Sequence, residues 1–373
     1  MYQSRLTLFV WLIAIGIVSF SQHLLAKTTF APELKDNLVI LQYHHVATNT
    51  PTITSTPPDV FAEHLAYLHQ HFNVVALPEA IDALREGTGL PDKSVAITFD
   101  DGFDNILTNA HPLLRKYNFP YTVFINPALI GHTRKQLTWE EVAQMSQEGV
   151  SFANHTLTHQ HLLNRRHITS NNGHSDDVTI ENETQWLKRI LGDITQAETL
   201  LKERLGYSLR YLAYPYGEFN RTLSNALSNL GYVGFAQHSG GVSSQSDFAA
   251  LPRYPAAGRY AKLGTLKIKL NSLAMPVLHS NITDPEVTVN TPDEMRLLLD
   301  TQDFNLTGVN CFYQGAVQPT VIENGVLIVA LSENLPTGRS RMNCTAPSKR
   351  EKGRYYWLSQ PFFKANKNGK YID

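Results

Sequence analysis

Between residues 37 and 238, short apolar runs rich in β-branched and aromatic side chains alternate with longer segments of helical period. That alternation predicts an α/β fold, a parallel sheet or barrel with helices packed outside it. The predicted strands are residues 38–42, 94–99, 121–126, 149–153, 210–213 and 231–236. Between them, Phe61, Leu65, Leu68 and Phe72 share one helical stripe, and Trp186, Ile190, Ile194, Leu201 and Leu205 share another. Residues 165–177 (RRHITSNNGHSDD) are polar and lack an apolar period, so they read as a long loop after the strand that ends near Ala153.

After about Pro276 the pattern shifts to the alternation of antiparallel strands, at residues 287–289, 306–312, 325–331 and 355–358. The chain therefore divides into a barrel domain at 37–278 and a small all-β, sandwich-like domain at 281–373. At the other end, Arg5 precedes an apolar run over residues 6–20 and a polar stretch ending near Ala26 and Lys27. This reads as a secretory signal over residues 1–26, which would place the mature chain in a secreted or periplasmic setting. The run is short of the roughly 20 residues that span a bilayer; an uncleaved N-terminal anchor is the alternative.

An oxidising compartment would let Cys311 and Cys344, the two cysteines of the chain, form a disulfide. Two separately buried thiols are the other reading. Lys and Arg total 32 against 33 Asp and Glu, a net charge of -1, so no whole-chain field exists to draw in nucleic acid or anionic lipid. With 15 histidines and 2 cysteines, a metal here would be held by imidazole and carboxylate, and a structural zinc cage of thiolates is excluded.

Four segments carry candidate chemistry. The apolar strand 95–99 ends abruptly in Asp100-Asp101-Gly102, at the kind of position where barrel enzymes keep catalytic groups. Neighbouring side chains at a strand end point different ways, so one carboxylate is free to bind a cation while the other accepts a proton. The next strand but one runs into Asn154-His155-Thr156-Leu157-Thr158-His159, whose two imidazoles would share one face if a helical turn starts there. A carboxylate and two imidazoles at one barrel end make a metal site with open coordination positions. Tyr211 to Gly217 is a strand entering a Pro turn that could aim a backbone N–H at a developing oxyanion. Tyr43-His44-His45 closes the first strand, where a histidine could protonate a leaving group.

The pairing of TFDDG with HTLTH, in this order, resembles the polysaccharide deacetylases with a NodB-homology domain, carbohydrate esterase family 4, over about residues 37–259. The resemblance implies a distorted (β/α) barrel and one divalent metal ion, usually Zn2+. It implies Asp100 as catalytic base and Asp101, His155 and His159 as metal ligands. It further implies Tyr216 as the residue whose backbone N–H lines the oxyanion hole. Two departures stand out. Ala213 takes the place of an Arg that usually orients the catalytic Asp, and the family's Asp-rich fourth motif is not recognisable. Arg253 is the candidate for supplying that guanidinium or for binding substrate. The fit of Val277-Leu278-His279 to the fifth motif is poor, whereas Tyr43-His44 resembles the branch with permuted motif order, which includes poly-N-acetylglucosamine deacetylases. His44 is therefore preferred as general acid, with His45 and His279 still open.

What the resemblance implies is metal-dependent removal of N-acetyl groups from an N-acetylglucosamine-containing polysaccharide or oligosaccharide, with release of acetate. Tyr43, Trp139, Tyr214 and Tyr254 are candidates to stack on sugar faces. Other readings are an O-acetyl (xylan-type) esterase, a carbohydrate-binding protein on a catalytically dead scaffold, and an iron oxygenase. No nucleic-acid partner and no stable membrane span of the mature chain are expected.

Overall fold

Six consecutive buried residues in LVILQY and again in SVAITF are what a parallel strand covered on both faces requires. They form β1 (Leu38–Tyr43) and β2 (Ser94–Phe99), paired in parallel from Leu38 opposite Ser94 to Tyr43 opposite Phe99. Five shorter strands extend the sheet: β3 (Thr122–Ile125), β4 (Ser151–Asn154), β5 (Tyr211–Ala213), β6 (Val233–Phe235) and β7 (Tyr254–Pro255). Their order is β6-β5-β4-β3-β2-β1-β7, with Asn73–Val74 alongside β2. The computed structural model describes residues 34–169, 178–331 and 335–372; the expected signal segment at 1–26 lies outside them.

The two sheet edges approach each other through one short segment. Leu251 bridges Phe235 in parallel, and Tyr254 and Pro255 pair with Leu41 and Gln42. This gives the distorted (β/α) barrel. Because side chains alternate along a strand, each strand feeds two cores. Leu38, Ile40, Ala96, Phe124, Ala213 and Phe235 share one cluster with Leu77, Ile81 and Leu84 of the helix Leu77–Glu86. Val39, Leu41, Tyr43, Val95, Ile97 and Phe99 share the other with Phe61, Leu65 and Leu68 of the helix Pro58–His71. The second predicted stripe lies on the helix Glu183–Leu205, where Trp186, Ile190, Ile194 and Leu201 are buried. An Asn182–Gln185 capping box starts that helix and a left-handed Gly206 ends it.

Several expectations need correction. Residues 165–169 are not wholly irregular: His167–Thr169 pairs antiparallel with Val178–Ile180, while 170–177 lie outside the described residues. The predicted strand at 287–289 is absent. Val287 donates one backbone bond to Phe363, and Thr288 then starts a turn closed by Thr291. The segment 306–312 splits into a 3-10 turn, Leu306–Gly308, and the strand Asn310–Tyr313.

The C-terminal sheets also begin upstream of 281. A five-stranded sheet contains Ser272–Ala274, Tyr355–Lys364, Gly338–Pro347, Asn310–Tyr313 and Ala316–Gln318 in that order. A four-stranded sheet contains Val277–Ser280, Glu294–Leu299, Val326–Ala330 and Thr320–Glu323. Met295, Leu297, Leu327 and Val329 of one pack with Cys311, Met342, Cys344 and Phe362 of the other, as in a sandwich. Cys311 and Cys344, directly opposite on adjacent strands, form a disulfide. Barrel and sandwich lie within one compact unit, Glu33–Asp373. Among the described residues no helix is long and apolar enough to cross a membrane.

Candidate active site

The candidate residues gather at the C-terminal ends of the parallel strands. Along β2, period two puts Ala96, Thr98 and then Asp100 on the barrel's inner face. Asp100 is fully buried there and continues the ladder, its N–H donating to the Tyr43 carbonyl at 2.9 Å. Arg253, also fully buried, donates from Nη1 to Oδ1 at 2.7 Å and from Nη2 to Oδ2 at 2.8 Å. Gln42 at the end of β1 donates to Oδ2 at 2.6 Å. Burial alone would raise the Asp100 carboxyl, but Arg253, with His155 and His44, outweighs it and holds the group well below the usual carboxylate range.

Asp101 turns away from its neighbour because its backbone is left-handed, φ 72°. Gly102 follows at φ 70°, where an added Cβ would lie 2.8 Å from Ile125. One Asp101 oxygen then lies 3.3 Å from Nε2 of both His155 and His159. The two imidazoles converge without the helical turn expected from their spacing. Thr156 and His159 are both left-handed, and the turn is pinned by Asn154 Oδ1 to the Thr156 N–H and by Asp193 to the Leu157 N–H. Asn126 holds the His155 and Thr156 carbonyls from below.

This donor set suits a divalent cation. His155 is buried and its Nδ1 bonds the Ala213 carbonyl at 2.8 Å, while among the described residues its Nε2, 3.3 Å from one Asp101 oxygen, has no hydrogen-bond partner. A backbone acceptor at Nδ1 leaves the Nε2 lone pair free to ligate, the usual orientation of a metal-binding imidazole. The three ligand atoms lie within 4.8 Å of one another. Burial lowers His159 to about 4, so that its ring is neutral at neutral pH. Burial opposes charge on His155 too, but Asp101 and Asp100 outweigh it and raise that ring. Asp101 is held at about 2: burial opposes its ionisation, and His155 and His44 more than offset it.

The histidines after β1 separate by environment. His44 Nε2 lies 3.9 Å from Asp100 Oδ2 and its side chain is partly exposed. His45 turns the other way, stacks on Phe103 at 3.7 Å and bonds Asn105; burial lowers it to about 4. His279 is exposed on Val277–Ser280, an edge strand of the four-stranded sheet.

Tyr216 is left-handed, φ 57°, in the turn Pro215–Gly217. Its ring packs on His159 at 4.7 Å and lies flat on His161 at 3.9 Å, which brings the turn to the metal-type cluster. Sequence reasoning missed Gln42, His161 and Glu218. Gln42 had a visible signal, a polar residue in an otherwise apolar strand.

The stacking expectations on Tyr214, Tyr43 and Tyr254 and the substrate-binding one on Arg253 are corrected. Tyr214, Tyr43 and Tyr254 are fully buried and offer no ring face to a sugar. The Tyr214 hydroxyl donates to the Ala249 carbonyl, Tyr43 bonds His64, and Tyr254 donates to Ser272. Trp139 starts the helix Trp139–Gln147, packs on the core, and has the Arg204 guanidinium 5.2 Å from its ring. Arg253 contacts Asp100, Thr98 and the Ala236 carbonyl, with no surface left for substrate.

Comparison with known proteins adds independent likeness. Residues 87–235 match the family model described as polysaccharide deacetylase. The Bacillus subtilis protein YxkH is 28% identical over 218 residues, 58% of this chain and 70% of that protein. The poly-beta-1,6-N-acetyl-D-glucosamine N-deacetylase of Escherichia coli K12 is 22% identical over 249 residues, covering 58% of this chain. The protein of the same name from Staphylococcus aureus is 28% identical over 200 residues, 52% of this chain. The chain spans 36% and 64% of the lengths of these two relatives. Among solved structures, the Streptococcus pyogenes deacetylase PplD superposes with a TM-score of 0.53 at 22% identity, over 63% of this chain and 98% of that one. IcaB from Ammonifex degensii does so at 0.52 and 23%, over 64% and 99%. Both share the fold.

Proposed function

From a chain that belongs to the polysaccharide deacetylases through the domain at residues 87–235, we propose a secreted or periplasmic hydrolase that removes N-acetyl groups from an N-acetylglucosamine-containing polysaccharide. The observation that carries the proposal is the juxtaposition of two carboxylates with opposite surroundings. Asp101 faces two imidazoles while Asp100, one residue away, faces a guanidinium. Poly-β-1,6-N-acetylglucosamine is the first polymer to test, since relatives in two bacteria carry that activity in their names.

Asp101, His155 and His159 would hold the divalent cation, which the donor set allows to be Zn2+. When bound, such a cation polarises a carbonyl and acidifies water. The chain's own residues then divide the work. Asp100 accepts the proton of the attacking water; Arg253 and Gln42 keep it ionised and aimed, at some cost in basicity. The Tyr216 backbone N–H faces the oxyanion that develops on the acetamide. His44, across from Asp100, delivers a proton to the departing sugar amine, and acetate leaves.

The test is acetate release from a panel of N-acetylglucosamine oligomers, β-1,6 and β-1,4 linked, peptidoglycan and acetylated xylan, using wild type and Asp100→Asn. N-acetyl substrates should be turned over and the variant should lose about a hundredfold or more. Turnover of acetylated xylan alone would replace the amide with an ester as substrate. Near-normal release by Asp100→Asn would remove Asp100 from its role.

A further inference from the structure

Tyr216 is where the barrel meets the C-terminal sheets. A left-handed backbone at a non-glycine residue is strained and persists where the surroundings hold it. Several contacts hold this one, besides the packing of its ring on His159. The Gly217 N–H closes onto the Tyr214 carbonyl at 2.8 Å. The phenol ring lies nearly parallel to His161, which Glu218, almost completely buried, fixes at 2.8 Å. The Tyr216 carbonyl accepts a hydrogen bond from Arg339 Nη1 at 2.6 Å.

The first contact is local and the second comes from His161 in the loop after β4, within the barrel, but the third comes from 123 residues away, on the strand Gly338–Pro347 of the five-stranded sheet. Arg339 also donates to the Gln237 side chain at 3.2 Å. Arg341, on the same face of that strand, donates to the Gln237 carbonyl at 3.4 Å and the Tyr260 hydroxyl at 3.2 Å. The strand thus lays two guanidiniums on the rim loops at 216 and 237, and one grips the peptide that follows Tyr216. A charged donor makes this a stronger bond than a neutral one.

We infer that Arg339 is a positioning residue for the proposed deacetylation, so that the C-terminal sheets are a working part of the active site. With the carbonyl of Tyr216 gripped, the peptide that follows it is held in orientation, which resists rotation of the turn and so helps keep the Tyr216 N–H aimed. The catalytic consequence rests on the deacetylase reading; the clamp itself does not.

The experiment uses the full chain with Arg339→Ala and Arg339→Lys and two measurements. In acetate release, Arg339→Ala should lower kcat about tenfold with KM nearly unchanged, since an oxyanion donor is misaimed and not removed. Arg339→Lys, which keeps a charged donor, should recover part of the loss. In hydrogen–deuterium exchange, the peptide containing Tyr216 and Gly217 should exchange faster in Arg339→Ala, while peptides from β1 and β2 exchange as in wild type. A rise in KM at constant kcat would make Arg339 a sugar contact and overturn the inference, as would an unchanged kcat. If wild type releases acetate from no glycan, the deacetylase reading fails by itself; unchanged exchange at 216–217 would then overturn the clamp, and faster exchange would support it.

Discussion

Arg253 and Asp100 meet inside the barrel through two hydrogen bonds, 2.7 and 2.8 Å long, although 153 residues separate them in the chain. Neither side chain touches solvent. Breaking such a pair from one side leaves a charge stranded in a medium that solvates it poorly.

Arg253→Met should therefore lose about 3–5 kcal/mol of stability, the range for removing one partner of a buried ion pair. The double variant Arg253→Met/Asp100→Asn should be more stable than Arg253→Met alone, because the stranded charge is gone. Urea midpoints of the four proteins measure this; simple additivity of the two single losses would contradict it.

Acid should destabilise the metal-free chain through the paired carboxylates. Asp101 is lowered from 3.8 to about 2, and Asp100 is lowered as well. A depressed folded-state pKa contributes stability that is present above the unfolded value and lost as pH falls through the folded one. The stability of wild type should thus drop between about pH 4 and pH 2, and Asp101→Asn should flatten that slope. Thermal melts across the window provide the check.

Metal binding should compete with protons at His155. The two carboxylates beside it favour its protonated ring, so a cation that takes Nε2 displaces whatever proton the ring holds, whereas burial keeps His159 neutral at neutral pH. Affinity for Zn2+ should fall as pH is lowered, and His155→Ala or His159→Ala should abolish stoichiometric binding. Titration calorimetry in two buffers of different ionisation enthalpy counts the protons; identical heats in both would refute the release.

His44 and His45 should differ in kind. A proton donor makes the rate fall on the alkaline side, so His44→Ala should lose that limb of the pH profile and at least a hundredfold in kcat, the order expected for a general acid. His45→Ala removes a ring stacked on Phe103 and bonded to Asn105. It should keep both limbs and lower the melting temperature instead. Retention of the alkaline limb by His44→Ala would shift the search to another acid.

Opening the Cys311–Cys344 bond should cost about 3–4 kcal/mol, the chain-entropy value for a loop of this length. The paired variant Cys311→Ala/Cys344→Ala should melt earlier than wild type, measured by calorimetry under non-reducing conditions.

Much of the site was legible in the sequence because its carriers are local. A mostly apolar strand that stops dead at Asp100-Asp101-Gly102, and a strand that enters Asn154-His155, announce themselves without tertiary knowledge. Tyr214 misled because a strand end does not disclose which way it faces. Leu212 and Tyr214 share the parity that packs with Trp186 and Ile190 of the helix Glu183–Leu205, and Ala213 has the other. Arg253 was legible as a candidate only, since β7 is two residues long and nothing local ties it to β2. The hold of Arg339 on Tyr216 had no local signal at all, being made by sheets whose alternation showed strands but not what they would lean on. The missing strand at 287–289 is a related case: Val287 has the right chemistry, but it donates a single backbone bond to Phe363 before Thr288 and Thr291 turn the chain.

The stave that bridges the two sheet edges also carries Arg253, and it is contributed late in the barrel. Asp101, His155 and His159 reach the mouth of the barrel from earlier strands, so the candidate ion ligands and the arm that steers the candidate proton acceptor are supplied by separate stretches of the chain. Capture of an ion and use of it are thereby separable by a single side chain: a change at Arg253 disarms Asp100 while it leaves the three candidate ligands where they are.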